Sequence, residues 1–284
     1  MEIQGFLRRR WSDFKIITQT TTGKVGFGIT LLLIILAVFA PWIAPYPPHA
    51  ITGPSYARPS WSHLLGTDDI GEDLFSQLVW ASRGSLLIGI SAGLIATIIG
   101  VGIGLVSGYF GGKTGEGLMR LTDTVLVLPL LPLLIVIASI FPSSVILVIS
   151  VIGLLSWPAT SRVIRSQTLT LRSRSFVDAC KLSGMSDTEI MLKVLLPNMI
   201  PLAVLYGVFA AVNAVVIEAG LDFIGLGSIN NLSWGTMLYF ALSRNALLRG
   251  EWWWFIPPGA LIAVLGIGFI LLGYGVERIG RIRS

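Results

Sequence analysis

Charge is scarce in this chain. Only 12% of its 284 residues are Asp, Glu, Lys or Arg, while 54% are hydrophobic and the mean hydropathy is +0.80; an ordinary soluble domain has about 25% charged residues. Several apolar runs approach or exceed the roughly 20 residues that a helix needs to cross the hydrocarbon core. These runs lack the period-two alternation of barrel strands. The sequence therefore predicts an all-α membrane protein.

Cysteine and histidine are almost absent as well. The single Cys180 excludes an internal disulfide framework and a cysteine-only metal cluster. His49 and His63 stand among Pro, Ser and Trp, and we expect both to be solvated loop residues rather than metal ligands. No nucleophile–base arrangement occurs, so we predict no catalytic residue, no metal and no cofactor in this chain.

One short run approaches a nucleotide-binding motif. SGYFGGKT, residues 107–114, resembles the phosphate-binding loop, but Ser107 stands where the first glycine belongs. That loop also needs a buried strand before it, whereas this run follows an apolar segment of helical length. Nucleotide binding is not predicted here.

Six apolar segments are predicted to span the membrane. They are residues 25–43, 85–108, 121–141, 143–160, 199–219 and 255–276. If the N-terminus is inside, 16 of the 20 basic residues lie in inner segments and only Arg58, Arg83, Arg244 and Arg249 lie outside, as the positive-inside bias requires. We therefore predict that residues 1–24 and 277–284 are cytoplasmic. This bias accounts for the net charge of +5 without a nucleic-acid partner.

Glycine and proline are patterned within these spans. One face of the second span carries Gly89, Gly93, Gly100, Gly104 and Gly108, and such small residues let helix backbones approach closely. Prolines at 129, 132, 158, 201, 257 and 258 predict kinks in the later spans. Broken helices are tolerated in lipid beside other helices or a wet cavity, so they favour a transport path over a passive anchor.

Ionisable groups are rare within the spans. Asp123 and Glu218 are predicted at an inner and an outer edge, whereas an ion-coupled secondary transporter usually keeps such groups inside its spans. Glu218 and Asn213 keep that class open as an alternative. Outside the spans, tryptophans are concentrated in residues 57–81 and 228–254, which predicts short interfacial helices there.

The predicted inner segment 161–198 contains a polar stretch, FVDACKLSGMSDTEIMLKVLLP. Ser175 with Asp178, and Ser186 with Glu189, fit helix N-caps, and Gly184 fits the left-handed end of a helix. The sequence therefore predicts two short helices joined at a glycine. An amphipathic loop on the inner leaflet is the simpler alternative, but a short helix is also suited to a groove on a partner.

Two motifs in this chain resemble a known family. Asp178-Ala179-Cys180, Gly184 and the Val-Leu-Leu-Pro that ends at Pro197 resemble the EAA loop of ABC-importer permeases. GTDDIGEDLFS (residues 66–76) followed by RGSLLIG (residues 83–89) is similar to a segment of the C-type permeases of peptide importers. Glu72 stands where that family has Arg. FIGLG (residues 223–227) and SWGTML (residues 233–238) match further segments of the family.

The resemblance implies the residues that act. In the family the EAA loop docks into an ATPase subunit, which here would involve Phe176, Asp178, Ala179, Cys180, Leu182, Gly184 and Pro197. The outer family motif falls on Gly66, Thr67, Asp68, Gly71 and Asp73.

The resemblance also implies partners and cargo. The partners are a second permease, two ATPase subunits that bind ATP and Mg²⁺, an external solute-binding protein and membrane lipid. Peptide is the favoured cargo, with nickel and oligosaccharides as alternatives.

Overall fold

The computed structural model describes residues 20–228 and 231–282, with side chains to Tyr274. Of the predicted cytoplasmic segments, residues 1–19 and 283–284 lie outside the described residues. The described part is helical, with two isolated antiparallel bridges (Ile51 with Glu72, Thr67 with Asp73) and no strand.

Twelve α-helices follow one another along the described chain. They are α1 Thr21–Val38, α2 Ala40–Ile43, α3 Leu74–Phe110, α4 Gly112–Val127, α5 Leu130–Ile140, α6 Val145–Arg172, α7 Ser175–Leu182, α8 Asp187–Glu189, α9 Leu196–Phe223, α10 Trp234–Ser243, α11 Ala246–Arg249 and α12 Trp252–Ile282. A π-helical segment, Ile190–Leu195, joins α8 to α9. Together these three pieces form one helix of 37 residues.

Five helices are long and apolar enough to cross a membrane. They are Thr21–Val38, Leu74–Phe110, Val145–Arg172, Asp187–Phe223 and, within α12, Trp252–Tyr274. The helices α4 and α5 together would make a sixth span, bent by 75°. The prediction of several membrane-spanning helices is thus confirmed. The structure has five such helices, or six if the bent pair is counted as one span.

The bend falls inside the predicted third span, residues 121–141. Leu128 is extended (φ −66°, ψ 123°) and Pro129 precedes α5, because a proline ring disfavours the helical conformation of the residue before it. Two helices therefore share residues 121–141, and the break lies at Pro129, where the sequence predicted a kink.

Two predicted spans are shorter than their helices. The helix α3 begins at Leu74, well before the predicted 85–108, and is capped by the Asp73 carboxylate, which accepts from the Ser76 backbone N–H at 2.7 Å. The helix α6 continues past residue 160 to Arg172. The hydropathy pattern did not predict the start of α3 or the end of α6, because both contain polar residues. Gln77 in α3 and Ser161 in α6 are examples, and both are buried.

The long helices include most of the predicted inner segment 161–198. Residues 161–172 belong to α6, and residues 187–198 begin the helix that becomes α9. Only residues 173–186, with α7 at their centre, lie outside these long helices.

Proline explains the irregular joint before α9. Leu196 donates its N–H to Met191, five residues back, and Pro197 follows in the first turn of α9. Proline has no N–H and its ring crowds the carbonyl four residues back. The wider π turn accommodates that carbonyl and keeps the helix continuous.

The prediction for the aromatic outer segments holds in part. The described part of residues 228–254 contains α10, α11 and the start of α12, whereas residues 57–73 contain no helix and the remainder of 57–81 is the start of α3. Trp61 is almost fully exposed, whereas Trp234 and Trp254 are buried in the main apolar core beside α3, α10 and α12. These two tryptophans therefore belong to the packed core rather than to an interfacial belt.

Candidate functional site

The short helix α7 is built to stand at the end of the bundle. Val177 is fully buried and Cys180 is half-buried against an apolar cluster that includes Tyr109 and Ile164. Spacing of three residues places Val177 and Cys180 on one face. The opposite face is exposed: Phe176 is 40% and Leu182 is 90% accessible.

Gly184 ends α7 in the conformation that the sequence predicted. Its φ is +81°; its N–H bonds to the Lys181 carbonyl at 3.0 Å, and the Met185 N–H bonds to the Cys180 carbonyl at 3.2 Å. This pair of bonds is a Schellman motif, which requires a left-handed residue at the position of Gly184. Space around its missing Cβ is open, so the requirement for glycine is conformational.

The caps of this segment were predicted with mixed success. Ser186 and Glu189 form the expected capping box at the start of α8. Ser175 was expected to cap α7, but Arg174 occupies the N-cap position and makes no side-chain cap bond. Ser175 is the first residue of the helix instead.

The residues assigned to ATPase docking therefore divide into four groups. Phe176, Asp178, Ala179 and Leu182 lie on the exposed face of α7, and Gly184 sets its end. Cys180 faces the bundle, and Pro197 lies two turns beyond α8 in the first turn of α9. Val177 was not among the docking residues assigned from the sequence, and its burial anchors α7; its apolar character three residues before Cys180 was the available signal.

The outer motif forms a network that caps α3. The Asp73 carboxylate accepts from Ser76 Oγ at 2.7 Å and lies 2.9 Å from Nδ1 of His63. His63 is only 7% exposed, so the expectation of a solvated histidine was wrong for this residue. Because a buried carboxylate needs hydrogen-bond partners, His63 and Ser76 together stabilise Asp73 at the helix start.

The other motif residues shape the loop that precedes α3. Gly66 and Gly71 have positive φ, +72° and +91°. Thr67 accepts from the Ala57 N–H at 2.9 Å, and Asp68 accepts from the Glu72 N–H at 2.8 Å and from Gln77 at 3.1 Å. All five motif residues thus fold the outer segment onto α3.

Glu72, which replaces the family arginine, is almost buried in this network. Its Oε2 accepts from Gln77 at 2.6 Å and lies 3.6 Å from Nδ1 of His49. Burial, and secondly the charge of Asp68, raises the pKa of Glu72 above its usual value, although His49 and Gln77 oppose the shift. Folding therefore makes the Glu72 carboxyl easier to protonate than it is in the unfolded chain.

A pH-dependent stability follows for Glu72→Gln. Because the folded-state pKa is raised, the wild type loses stability as pH rises from the ordinary glutamate range through the raised value. A neutral glutamine keeps an acceptor for Gln77 and escapes this loss. We expect the thermal midpoint of the purified chain to be higher in Glu72→Gln than in wild type at about pH 7.5, and the difference to shrink at about pH 4.5.

Glu116→Gln is the matched control for this experiment, since Glu116 is exposed on α4. A difference between Glu72→Gln and wild type that grew as pH fell would contradict the assignment.

The glycine face of α3 meets two different helices. Added Cβ atoms at Gly100, Gly104 and Gly108 would lie within 2.9 Å of α6 backbone carbonyls, those of residues 157, 161 and 165. Those at Gly89 and Gly93 would lie 2.9 Å from the carbonyl and 2.7 Å from the N–H nitrogen of Ala211 on α9. The helix α3 is thus packed closely against the α6 backbone toward its C-terminal end and against the α9 backbone nearer its middle.

A buried acidic pair lies near the C-terminal end of α9. Glu218 is 1% and Asp222 is 4% exposed, and Asp222 accepts from Ser233 Oγ at 2.6 Å. Ser233 also caps α10 by accepting from the Thr236 N–H at 3.1 Å. Sequence reasoning placed Glu218 near an outer edge but did not foresee its burial or its partner one turn on; the spacing of four between the two acids was the available signal.

The near-match to a phosphate loop is a helix-to-helix turn. Gly111 and Gly112 have φ of +62° and +47° and connect α3 to α4. The start of the run belongs to a long apolar helix rather than following a strand. Backbone amides are therefore not arranged as a nucleotide cradle requires.

These features define a helical membrane protein in which the short helix α7 has an exposed face and a folded polar loop precedes α3. Residues 100–281 match the family described as the binding-protein-dependent transport system inner membrane component. Residues 10–59 match the N-terminal TM domain of oligopeptide transport permease C.

Curated relatives agree over most of their length. The chain is 40% identical to a putative peptide permease protein of Brucella suis over 250 residues, covering 86% of this chain and 82% of the relative. It is 35% identical to the di/tripeptide transport system permease protein DppC of Pseudomonas aeruginosa over 95% of this chain and 90% of the relative. It is 33% identical to the oligopeptide transport system permease protein OppC of Lactococcus lactis, over 76% of this chain and 74% of the relative.

The chain belongs to the C-type permeases of binding-protein-dependent ABC transporters. It is a multi-pass inner-membrane transport subunit and not an enzyme.

Proposed function

We propose that this permease imports peptides and receives force from an ATPase through α7. Its cargo is proposed from its relatives, several of which are named for peptide, di/tripeptide or oligopeptide transport. Nickel and oligosaccharides remain the alternatives within the same machinery. An ion-coupled secondary transporter is disfavoured by membership of an ATP-driven family.

The observation that supports coupling is the two-faced character of α7. Its inner face is held by Val177, which is fully buried, while Leu182 stands 90% exposed on the other side. A short helix with apolar and charged exposed residues suits insertion into a groove on a partner.

The remaining partners follow from the family and from the bundle. One chain supplies five or six spans, and we propose that a second permease completes the translocation path. Two ATPase subunits bind ATP and Mg²⁺ on the cytoplasmic side. An external solute-binding protein delivers the cargo to the outer cap formed by the motif network and α10.

Leu182→Asp tests the coupling proposal. A charge at the centre of a small, desolvated contact should remove most of its binding energy, so we expect co-purification of the ATPase subunits to fall about tenfold or more. Uptake of a labelled dipeptide should fall in parallel.

Leu248→Asp is the control, because Leu248 is 87% exposed on α11, on the proposed outer side. It should retain the ATPases. Equal retention in both variants would contradict a docking role for α7, and wild-type uptake of Ni²⁺ in place of dipeptide would contradict the proposed cargo.

The proposed orientation places α7 and both termini in the cytoplasm. In a Cys180→Ser background, cysteines introduced at Ser55 and Ser186 test it, because both positions are exposed. We expect a membrane-impermeant maleimide to label intact cells at Ser55→Cys and to label Ser186→Cys only after the cells are opened. Labelling of Ser186→Cys in intact cells would reverse the orientation. A third position suggested by the sequence, Asn230, lies outside the described residues.

A further inference from the structure

An open cavity of about 310 Å³ lies between α4 and α6, and no residue of α7 or of the loop before α3 lines it. It is lined by Met119, Asp123, Arg162, Arg165, Ser166 and Leu169. Two arginines and one carboxylate make the cavity formally cationic. The features described above assign it no role.

The cavity contains a cation without a counter-ion. Nη2 of Arg162 lies 2.7 Å from Oδ1 of Asp123, so that carboxylate is already engaged. Among the described residues, Arg165 has no ion-pair partner, and its buried Nε–H has no acceptor. A half-buried guanidinium is costly when it is unpaired, so the site favours an anion beside Arg165.

The level of the cavity in the membrane follows from the sequence between its two walls. No Asp, Glu, Lys or Arg occurs between Asp123 and Arg162. The chain therefore leaves one membrane boundary at Asp123, runs through the uncharged stretch 124–161 and returns to the same boundary at Arg162. The Asp123–Arg162 pair marks the depth at which lipid headgroups lie.

Apolar surface continues from the cavity toward the hydrocarbon. Met119, Asp123 and Val127 follow one another at helical spacing on one face of α4. Beyond Asp123 on that side, Leu126 is 41% and Val127 is 81% exposed. This face therefore fits a molecule with an anionic group, which would lie in the cavity, and an apolar part, which would lie along Leu126 and Val127.

We propose that this cavity binds the phosphate headgroup of an anionic phospholipid, with an acyl chain along α4 beyond Asp123. Arg165 is the principal donor, because a guanidinium pairs with phosphate through parallel hydrogen bonds. Arg162 contributes the donors that Asp123 leaves free, and Ser166 lines the same wall. Basic pockets between transmembrane helices at the cytoplasmic side are suited to such headgroups. In the orientation proposed above, the lipid belongs to the inner leaflet; lipid binding itself does not depend on the transport function.

Lipid retention by the purified full-length chain tests the proposal. Native mass spectrometry in detergent would compare phosphatidylglycerol with phosphatidylcholine of the same chain length. We expect preferential retention of phosphatidylglycerol, about fivefold weaker in Arg165→Gln, the loss that one basic residue near a lipid phosphate corresponds to. Arg165→Lys should retain part of the affinity, since it keeps the charge but loses the fork geometry.

A variant with the opposite expected sign separates binding from structural damage. Asp123→Asn removes the one carboxylate of the cavity and frees Arg162, so phosphatidylglycerol should bind more tightly, by a similar factor. Arg174→Gln, which removes an exposed arginine at the start of α7, is the charge-matched control and should bind like the wild type.

Four outcomes in the isolated chain would overturn the proposal. They are equal retention of phosphatidylcholine, an equal loss in Arg174→Gln, weaker binding in Asp123→Asn, and displacement of the lipid by inorganic phosphate at millimolar concentration, which would point to a soluble anion. Loss of the bound lipid when the second permease assembles would assign the cavity to the subunit interface and would also overturn it.

Discussion

Gly184→Val is expected to abolish most transport while leaving the permease in the membrane. Gly184 has φ +81° and closes the Schellman motif at the end of α7. A β-branched residue in that conformation adds roughly 1–3 kcal/mol of local strain. The chain can relieve this strain only by moving α7, which would pull Val177 out of the apolar cluster that it packs into. The spans are untouched, so insertion and pairing with the second permease should be normal.

The measurement is the rise in ATP hydrolysis on delivery of cargo by the assembled transporter, which we expect to fall at least tenfold. Gly184→Asn should preserve much of it, because asparagine tolerates the left-handed conformation better than other residues. Gly117→Val is the control, since Gly117 lies in α4 with open space around its missing Cβ and no positive φ. Normal coupling in Gly184→Val together with failed ATP binding in Lys113→Ala would reverse the roles assigned to α7 and to the glycine turn between α3 and α4.

Gly104→Val is expected to prevent the bundle from folding. A Cβ at Gly104 would lie 2.7 Å from both the Ser161 carbonyl and the Ile164 Cβ. Neither atom is the end of a flexible side chain, so α3 and α6 must separate. Overpacking of this kind costs about 1–3 kcal/mol and more where backbone must shift, and the two neighbouring glycine contacts with α6 would be lost with it.

Gly102→Val provides the matched control two positions away, because nothing lies within 4 Å of the position that its Cβ would take. Fluorescence-detected size exclusion of the full-length chain should show a monodisperse peak for Gly102→Val and aggregated or absent protein for Gly104→Val. Similar profiles for the two variants would mean that the α3–α6 contact contributes little to stability.

The sequence predicted well those features that are set locally. Gly184 and the Ser186–Glu189 box follow from backbone stereochemistry and from one turn of helix, so their residues are sufficient to recognise them. Helical spans follow from long runs without charge, which are enough to cross the hydrocarbon core. Family membership followed from motifs, since the spacing from Asp178 to Pro197 is set by how α7 and the start of α9 are built.

Features that depend on long-range packing were not predictable in the same way. The polar start of α3 is helical because Asp73 caps it and because a distant loop folds over it. His63 is buried by its contact with Asp73 across a turn. Which face of α7 is buried depends on how this helix packs against α3, α6 and α9. The hydropathy of the sequence does not contain that information.

The continuity of the helix through the π-helical joint has a mechanical consequence. A helix of 37 residues is about 55 Å long, and it crosses α3 in backbone contact at Ala211. That crossing lies about two thirds of the way from Asp187 to Phe223. A rocking of this rod about the crossing would move its two ends in opposite directions, with the end at Phe223 travelling about half as far as the end at Asp187. A force applied at the Asp187 end would then act beside Asp222 and Ser233 over a shorter distance, with roughly twice its magnitude.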